Sequence, residues 1–277
     1  MIKKRVISAL IAIGLIAPAL IFLGSYALYF FTLIVAAGCL YEYFSMIMGK
    51  NYSKSIRLSG VLIGVLLIAF SIFLRFAFIS VLTVGLLFYC TYFMLRAKKY
   101  PNDVTPIEGL KLGKLMLDLS LSVFGILFFS LLLIYLPMLR DTTDGLKWVV
   151  CLMAVVWLGD TGAFFIGRKY GKTKLLPEIS PNKTIEGSLG GLVFSFIGVL
   201  TCKLVFFHSI DLIDCVNLGI IGGALGQTGD LVESMIKRSV SVKDSGAIMP
   251  GHGGFFDRFD ALIFAVPFFY FYASFFF

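Results

Sequence analysis

The stretch Met116-Leu-Asp118-Leu-Ser-Leu-Ser-Val-Phe-Gly-Ile-Leu-Phe-Phe-Ser-Leu-Leu-Leu-Ile-Tyr-Leu-Pro-Met138 decides the fold class. It carries one charge in 23 positions. A hydrocarbon core about 30 Å thick needs about 20 apolar residues per helical crossing, and this run supplies them. Similar runs recur along the whole chain, at 6 to 24, 26 to 47, 58 to 74, 77 to 95, 147 to 167, 187 to 207, 212 to 231 and 257 to 277. The pattern predicts an all-α, polytopic transmembrane bundle of about nine membrane-spanning helices. Composition agrees: of the 277 residues 59% are hydrophobic and 14% charged, where a soluble domain carries about 25% charged.

The first run is expected to stay as a span. Lys3, Lys4 and Arg5 precede it and Ala17-Pro18-Ala19 imitates a cleavage site, but the apolar stretch continues past that tripeptide to Gly24.

Charge supplies orientation. With a cytoplasmic amino terminus, the inner segments collect Lys3, Lys4 and Arg5, then Lys50, Lys54 and Arg57, then Arg96, Lys98, Lys99, Lys111 and Lys114. Further on they collect Arg168, Lys169, Lys172, Lys174 and Lys183, and finally Lys237, Arg238, Lys243 and Arg258. Only Arg75, Arg140, Lys147 and Lys203 of the 24 basic residues fall at or near the outer side. The net charge of +8 is therefore a topology signal and an attraction to anionic lipid, and no nucleic-acid partner is expected. Cys39, Cys90, Cys151, Cys202 and Cys215 are scattered through spans without metal-ligand spacing, and read as small packing residues.

The chain divides by character into 1–140, N-terminal transmembrane helices with little chemistry, and 141–277, a C-terminal transmembrane catalytic region. In the first part Glu42 and Asp118 lie near cytoplasmic span ends and read as structural. In the second, polar clusters appear on the cytoplasmic side: Trp157 to Lys172, Ser180 to Ser188, and Gly226 to Asp260. Ser180 before Pro181 reads as a helix start, which would set Lys183 at the inner mouth of the seventh span.

Asp230, Glu233 and Ser234 share one face of a continuing helix, and Asp257 and Asp260 are three apart at the start of the last span. Carboxylates at the bilayer edge are costly unless a cation meets them, and oxygen ligands suit magnesium. The plainer reading pairs Glu233 with Lys237 at i,i+4 and sets Asp257 and Asp260 against a helix dipole. Between the acidic pairs lie Lys237 and Arg238, then Lys243-Asp244-Ser245-Gly246, then Pro250-Gly251-His252-Gly253-Gly254, with Arg258 beyond. Glycines let backbone N–H groups turn inward as an anion nest, so basic side chains, nest and metal site together describe a polyphosphate cradle. His252 is read as a phosphate hydrogen-bond partner. No GxxxxGKS/T loop and no Rossmann glycine pattern is present.

The run from Ser234 through Lys237-Arg238, Lys243-Asp244-Ser-Gly246 and Pro250-Gly-His252-Gly253-Gly254 to Asp257-Arg258-Phe-Asp260 closely resembles the signature of bacterial phosphatidate cytidylyltransferases, the CDP-diacylglycerol synthases. Gly159-Asp160-Thr161-Gly162-Ala163 and Ser180 to Gly187 look like that family's other recurrent stretches, so the resemblance covers about residues 150 to 277. Met249 departs conservatively from the branched or aromatic residue expected there. The resemblance implies a magnesium-dependent nucleotidyltransferase that joins CTP to phosphatidic acid, giving CDP-diacylglycerol and pyrophosphate. It implies Asp230, Asp257 and Asp260 as metal ligands (with a second cation left open), and Lys237 and Arg238 as catalytic neighbours. Asp160, Ser180, Lys183, Ser234, Lys243, Asp244, His252, Gly253, Gly254 and Arg258 would line the substrate site. It also implies a site at the cytoplasmic face of the inner membrane and a homodimer.

Other readings fit less well. A CTP-dependent lipid-alcohol kinase shares the magnesium nucleotide but not the full signature, and a CDP-alcohol phosphotransferase would need a DGxxAR start that is missing. An ion-coupled transporter would place charge at mid-membrane depth, whereas here the charges gather on one side.

Overall fold

The computed structural model describes residues 24–48, 54–73, 78–96, 110–248 and 253–277. The elements in chain order are α1 (Gly24–Met48), α2 (Lys54–Phe73), α3 (Phe78–Arg96), α4 (Leu110–Leu133), α5 (Tyr135–Arg140), α6 (Gly145–Tyr170), β1 (Lys174–Leu176), β2 (Ser180–Thr184), α7 (Ile185–Val205), α8 (Leu212–Ser239) and α9 (Phe256–Phe276). The helical class matches the expectation. Five helical stretches among the described residues are long and apolar enough to cross a membrane: Ser25–Met48, Leu115–Arg140, Gly145–Tyr170, Ile185–Val205 and Phe256–Phe276. Two shorter apolar stretches, Arg57–Ser71 and Thr83–Tyr92, lie in α2 and α3, and the expected span 6 to 24 lies outside the described residues. The apolar stretch 116 to 138 is interrupted between α4 and α5. Pro137 has no N–H to return to the carbonyl of Leu133, so the ladder breaks there.

Within this all-helical architecture β1 and β2 pair as a short antiparallel hairpin, with Lys174 opposite Thr184 and Leu176 opposite Ser180. One expectation is corrected. Ser180 and Pro181 do not start a helix; they open β2, and α7 begins at Ile185. The physical reason lies at Thr184, whose Oγ1 accepts the N–H of Gly187 at 3.1 Å and so caps α7. Glu186 reaches back to accept from the N–H groups of Lys172 at 3.1 Å and Thr173 at 3.2 Å, which ties the hairpin to the helix start.

The chain forms two compact units. The first comprises Met1–Leu28, Tyr135–Asp244 and Asp257–Phe277; the second comprises Tyr29–Ile134 and Ser245–Phe256.

In the first unit α7 packs between α6 and α8 through small residues. Gly187, Gly191 and Ser195 on α7 recur every four positions, as do Gly159, Ala163 and Gly167 on α6 and Gly219 and Gly223 on α8. Such stripes let helix backbones approach closely, which is how helices associate when burial from water supplies no drive between them. Ser195 Oγ donates to the carbonyl of Val155 at 2.9 Å, and Gln227 Nε2 donates to the carbonyl of Ser188 at 3.0 Å. A Cβ at Gly219 would sit 2.5 Å from Phe196 Cα, with no flexible side chain to yield. Gly219→Val is therefore expected to destabilise the protein by about 3 kcal/mol, the upper end for overpacking, read as a lower melting temperature in detergent. At the other end of α8, Asp211 caps the helix by accepting from Ile213 N–H at 2.8 Å and Asp214 N–H at 2.9 Å. The Asp214 N–H in particular holds the Asp211 carboxyl below its ordinary range, so this cap is present at neutral pH and is lost as pH falls through the lowered value.

In the second unit Tyr43, Phe44, Phe124, Phe128, Phe129 and Phe256 form an aromatic cluster, with Phe129 and Phe256 centroids 4.9 Å apart and nearly perpendicular. Tyr43 Oη donates to the Leu121 carbonyl at 2.8 Å and Ser130 Oγ to the Gly64 carbonyl at 3.0 Å, joining α1 and α2 to α4.

Candidate metal and nucleotide centre

The candidate centre of the first unit is built at the carboxyl-terminal half of α8 and the first turns of α9. Helical spacing puts Asp230 and Glu233 on one face of α8, and Asp260 of α9 meets them. Each of the three offers a carboxylate oxygen within 4.8 Å of the others. Glu233 is 2% exposed, and its Oε1 has no hydrogen-bond partner among the described residues. An unsatisfied buried carboxylate oxygen beside two more carboxylates is a donor set suited to a hard divalent cation.

Lys237 lies one turn beyond Glu233 and is held by two carboxylates, Glu233 Oε2 at 2.8 Å and Asp257 Oδ1 at 2.7 Å. The i,i+4 pairing of Glu233 with Lys237, raised as the plainer reading of the sequence, is thus present, and a second carboxylate joins it. Glu233 also faces the carboxylates of Asp257 and Asp260. Asp257, expected as a metal ligand, stands here as an ion-pair partner of Lys237, while Glu233 stands in the three-carboxylate group.

The hairpin delivers Lys183. Its Nζ lies 2.6 Å from Asp230 Oδ2, an ion pair set by distance and charge without hydrogen-bond angles. Asp160 of α6 faces both Asp230 and Lys183, and Asp260 faces Asp230, Asp160 and Lys183. Asp160 also lines a narrow cleft with Gly226, Gln227 and Ala261. Three acidic side chains, Asp160, Asp230 and Asp260, therefore face one ammonium in the first unit. The helix start expected to set Lys183 at the inner mouth of the seventh span does not form; strand β2 carries Lys183 to Asp230 instead.

The remaining residues are distributed more loosely. Ser180 is half-buried at the start of β2 and Ser234 half-buried on α8. Arg238 is exposed and Nη1 donates to the Val242 carbonyl at 3.2 Å. Lys243 and Asp244 are exposed on the loop after α8, and Arg258 is exposed on α9. Gly253 and Gly254 belong to the second unit, Gly253 with φ of 80°, a left-handed conformation natural to glycine. His252 lies outside the described residues. Glu42, read from sequence as structural, accepts from Ser245 Oγ at 2.9 Å and Phe256 N–H at 3.0 Å within the second unit.

Comparison with known proteins adds the family. The model of the cytidylyltransferase family matches residues 3–276. The phosphatidate cytidylyltransferase of Bacillus subtilis (strain 168) is 47% identical over 127 residues, covering 46% of this chain and 47% of that protein. The phosphatidate cytidylyltransferase of Staphylococcus saprophyticus is 44% identical over 151 residues, 54% of this chain and 57% of its own. That of Staphylococcus haemolyticus is 49% identical over 125 residues, 45% and 48% respectively. The chain spans about half the length of the curated relatives it matches. With its family's model matched almost end to end, the chain belongs to the cytidylyltransferase family.

Proposed function

We propose that the protein is a phosphatidate cytidylyltransferase. A phosphate oxygen of phosphatidic acid attacks the α-phosphorus of CTP, a new P–O bond forms, the bond to the bridging oxygen of the β-phosphate breaks, and pyrophosphate leaves with CDP-diacylglycerol as product. The observation that carries this reading is the meeting of Asp230, Glu233 and Asp260 oxygens within 4.8 Å beside Lys183 and Lys237. Family membership and the three named relatives support it.

Magnesium is the cation we assign, held by Asp230, Asp260 and Glu233; the all-oxygen donor set and the unpartnered Glu233 Oε1 fit it. When bound it supplies neutralisation of triphosphate charge and polarisation of a phosphoryl oxygen. The chain's own residues do the rest. The Lys183 ammonium, released from Asp230 when the cation binds, pairs with a substrate phosphate, and Lys237 is held in place by Glu233 and Asp257. Arg238, Lys243 and Arg258 add positive charge for the polyphosphate, and Asp160, Ser180, Ser234 and Asp244 orient substrate groups. His252, Gly253 and Gly254 are assigned to phosphate contacts from the sequence alone. No side-chain nucleophile is required, because a phosphate monoester is already anionic at neutral pH; the task is alignment and charge neutralisation. We place the site at the cytoplasmic face of the inner membrane, with the amino terminus inside, because the basic loops select that orientation and CTP is supplied there. Homodimeric assembly rests on the resemblance alone.

The test uses the full-length protein in mixed micelles with phosphatidic acid, magnesium and CTP labelled in separate runs on the α- and γ-phosphates. The γ label is expected in pyrophosphate and the α label in lipid. Appearance of the γ label in lipid, with CDP released, would instead establish a lipid kinase.

A further inference from the structure

Helix α1 carries an acidic residue that the proposed chemistry does not use. Glu42 is 2% exposed, and a carboxylate so buried is costly unless the protein provides partners. The hydrogen bonds it accepts come from one segment, Ser245–Phe256, at its two ends: Ser245 Oγ donates at 2.9 Å and Phe256 N–H at 3.0 Å, both to Oε2. Two of its glycines, Gly246 and Gly254, are packed onto the same carboxylate. A Cβ on Gly246 would lie 2.5 Å from Glu42 Oε1, and one on Gly254 would collide with Oε2. One turn earlier on the same face of α1, a Cβ on Gly38 would lie 2.6 Å from the Phe255 ring, so Gly38 is the seat of that ring. Phe256 is 1% exposed, locked against Phe129.

Phe256 is also the first residue of α9. The N–H groups of a first helical turn have no partner within the helix and carry the positive end of its dipole. Phe255, which precedes it, has no side-chain oxygen with which to cap. Glu42 fills that role from another helix. Asp257 follows at the next position, and Asp260 one turn along.

We propose that Glu42 is a positioning residue: its carboxylate fastens the two ends of the segment Ser245–Phe256 to α1 and caps the start of α9, so that α9 presents Asp257 to Lys237 and, one turn on, Asp260 to the divalent cation. The role rests on the reading of Asp260 as a cation ligand. It is one of hydrogen-bond acceptance, which the carboxamide oxygen of Gln reproduces and Ala does not.

The test compares wild type, Glu42→Ala, Glu42→Gln and Ser245→Ala, all full-length in detergent. The readouts are hydrogen exchange in peptides covering Ser245–Phe256 and the start of α9, manganese affinity by electron paramagnetic resonance without nucleotide, and KM for CTP against kcat. Loss of a helix cap is worth about 1 kcal/mol, so Glu42→Ala is expected to speed exchange and weaken manganese binding by about fivefold, with KM for CTP rising more than kcat falls. Glu42→Gln stays near wild type. Wild-type exchange and manganese affinity in Glu42→Ala overturn the proposal, as does a Glu42→Gln variant equally impaired in both. Should Glu42→Ala fail to fold, Ser245→Ala removes one donor and leaves Glu42 in place, and unchanged loop exchange in that variant overturns the proposal. Wild-type turnover is measured alongside: its absence would sink the proposed reaction, while the exchange measurement would still decide the role of Glu42.

Discussion

Replacing Asp260 by Asn is expected to lower cytidylyl transfer by about a thousandfold, equivalent to roughly 4 kcal/mol of lost transition-state stabilisation. Asn matches the volume, and position 260 lies beyond the first turn, so α9 still forms. What disappears is one of three carboxylates whose oxygens lie within 4.8 Å, and the one that also faces Asp160 and Lys183. The measurement is pyrophosphate release from CTP and phosphatidic acid, with manganese affinity and melting temperature recorded on the same sample. Manganese binding should weaken in step with turnover while the melting temperature holds. Undiminished turnover would remove Asp260 from the cation site. Asp257→Asn separates the two roles assigned to this short acidic face: because Asp257 engages Lys237 at 2.7 Å, its loss should disturb stability more than manganese affinity.

Lys237→Met is expected to destabilise the protein by about 3–5 kcal/mol, the range for removing one partner of a buried ion pair. The Lys237 side chain is 12% exposed and stands between Glu233 and Asp257, exposed 2% and 12%. Met matches the aliphatic stem and fills the space, so the loss isolates charge from packing. Without the ammonium, two buried carboxylates face each other uncompensated. Thermal unfolding in detergent should show the loss, and millimolar magnesium should restore part of it, since a cation at Glu233 relieves the same repulsion. An unchanged melting temperature would mean that the pair is solvated and carries little.

These expectations show which features can be read along the chain. Helical class follows from runs such as 116 to 138, because an apolar stretch long enough to span hydrocarbon has few other ways to satisfy its backbone. The shared face of Asp230 and Glu233, and the i,i+4 reach from Glu233 to Lys237, follow from helical periodicity alone. The hairpin did not follow. Ser180-Pro181 carries a legitimate helix-start pattern, and Thr184 won because its hydroxyl meets the Gly187 N–H while Ser180 pairs with Leu176 and Thr184 itself with Lys174 in the hairpin. Non-local pairing overrode the local start signal at Ser180-Pro181.

What the sequence determined by itself was the helical class, the chemistry available and the short-range spacings, because helix geometry and transfer into lipid act on neighbours within a few residues. Only the tertiary structure decided which charges meet: Lys183 with Asp230, Asp257 with Lys237, Asp260 with Glu233, and Glu42 with the two ends of a loop more than 200 positions away. Spacing along the chain carries no information about such pairings, since they are set by how helices cross, and the crossings here are set by where glycines allow backbones to touch. A buried carboxylate must find a partner somewhere, and the fold, not its neighbours in sequence, decides where.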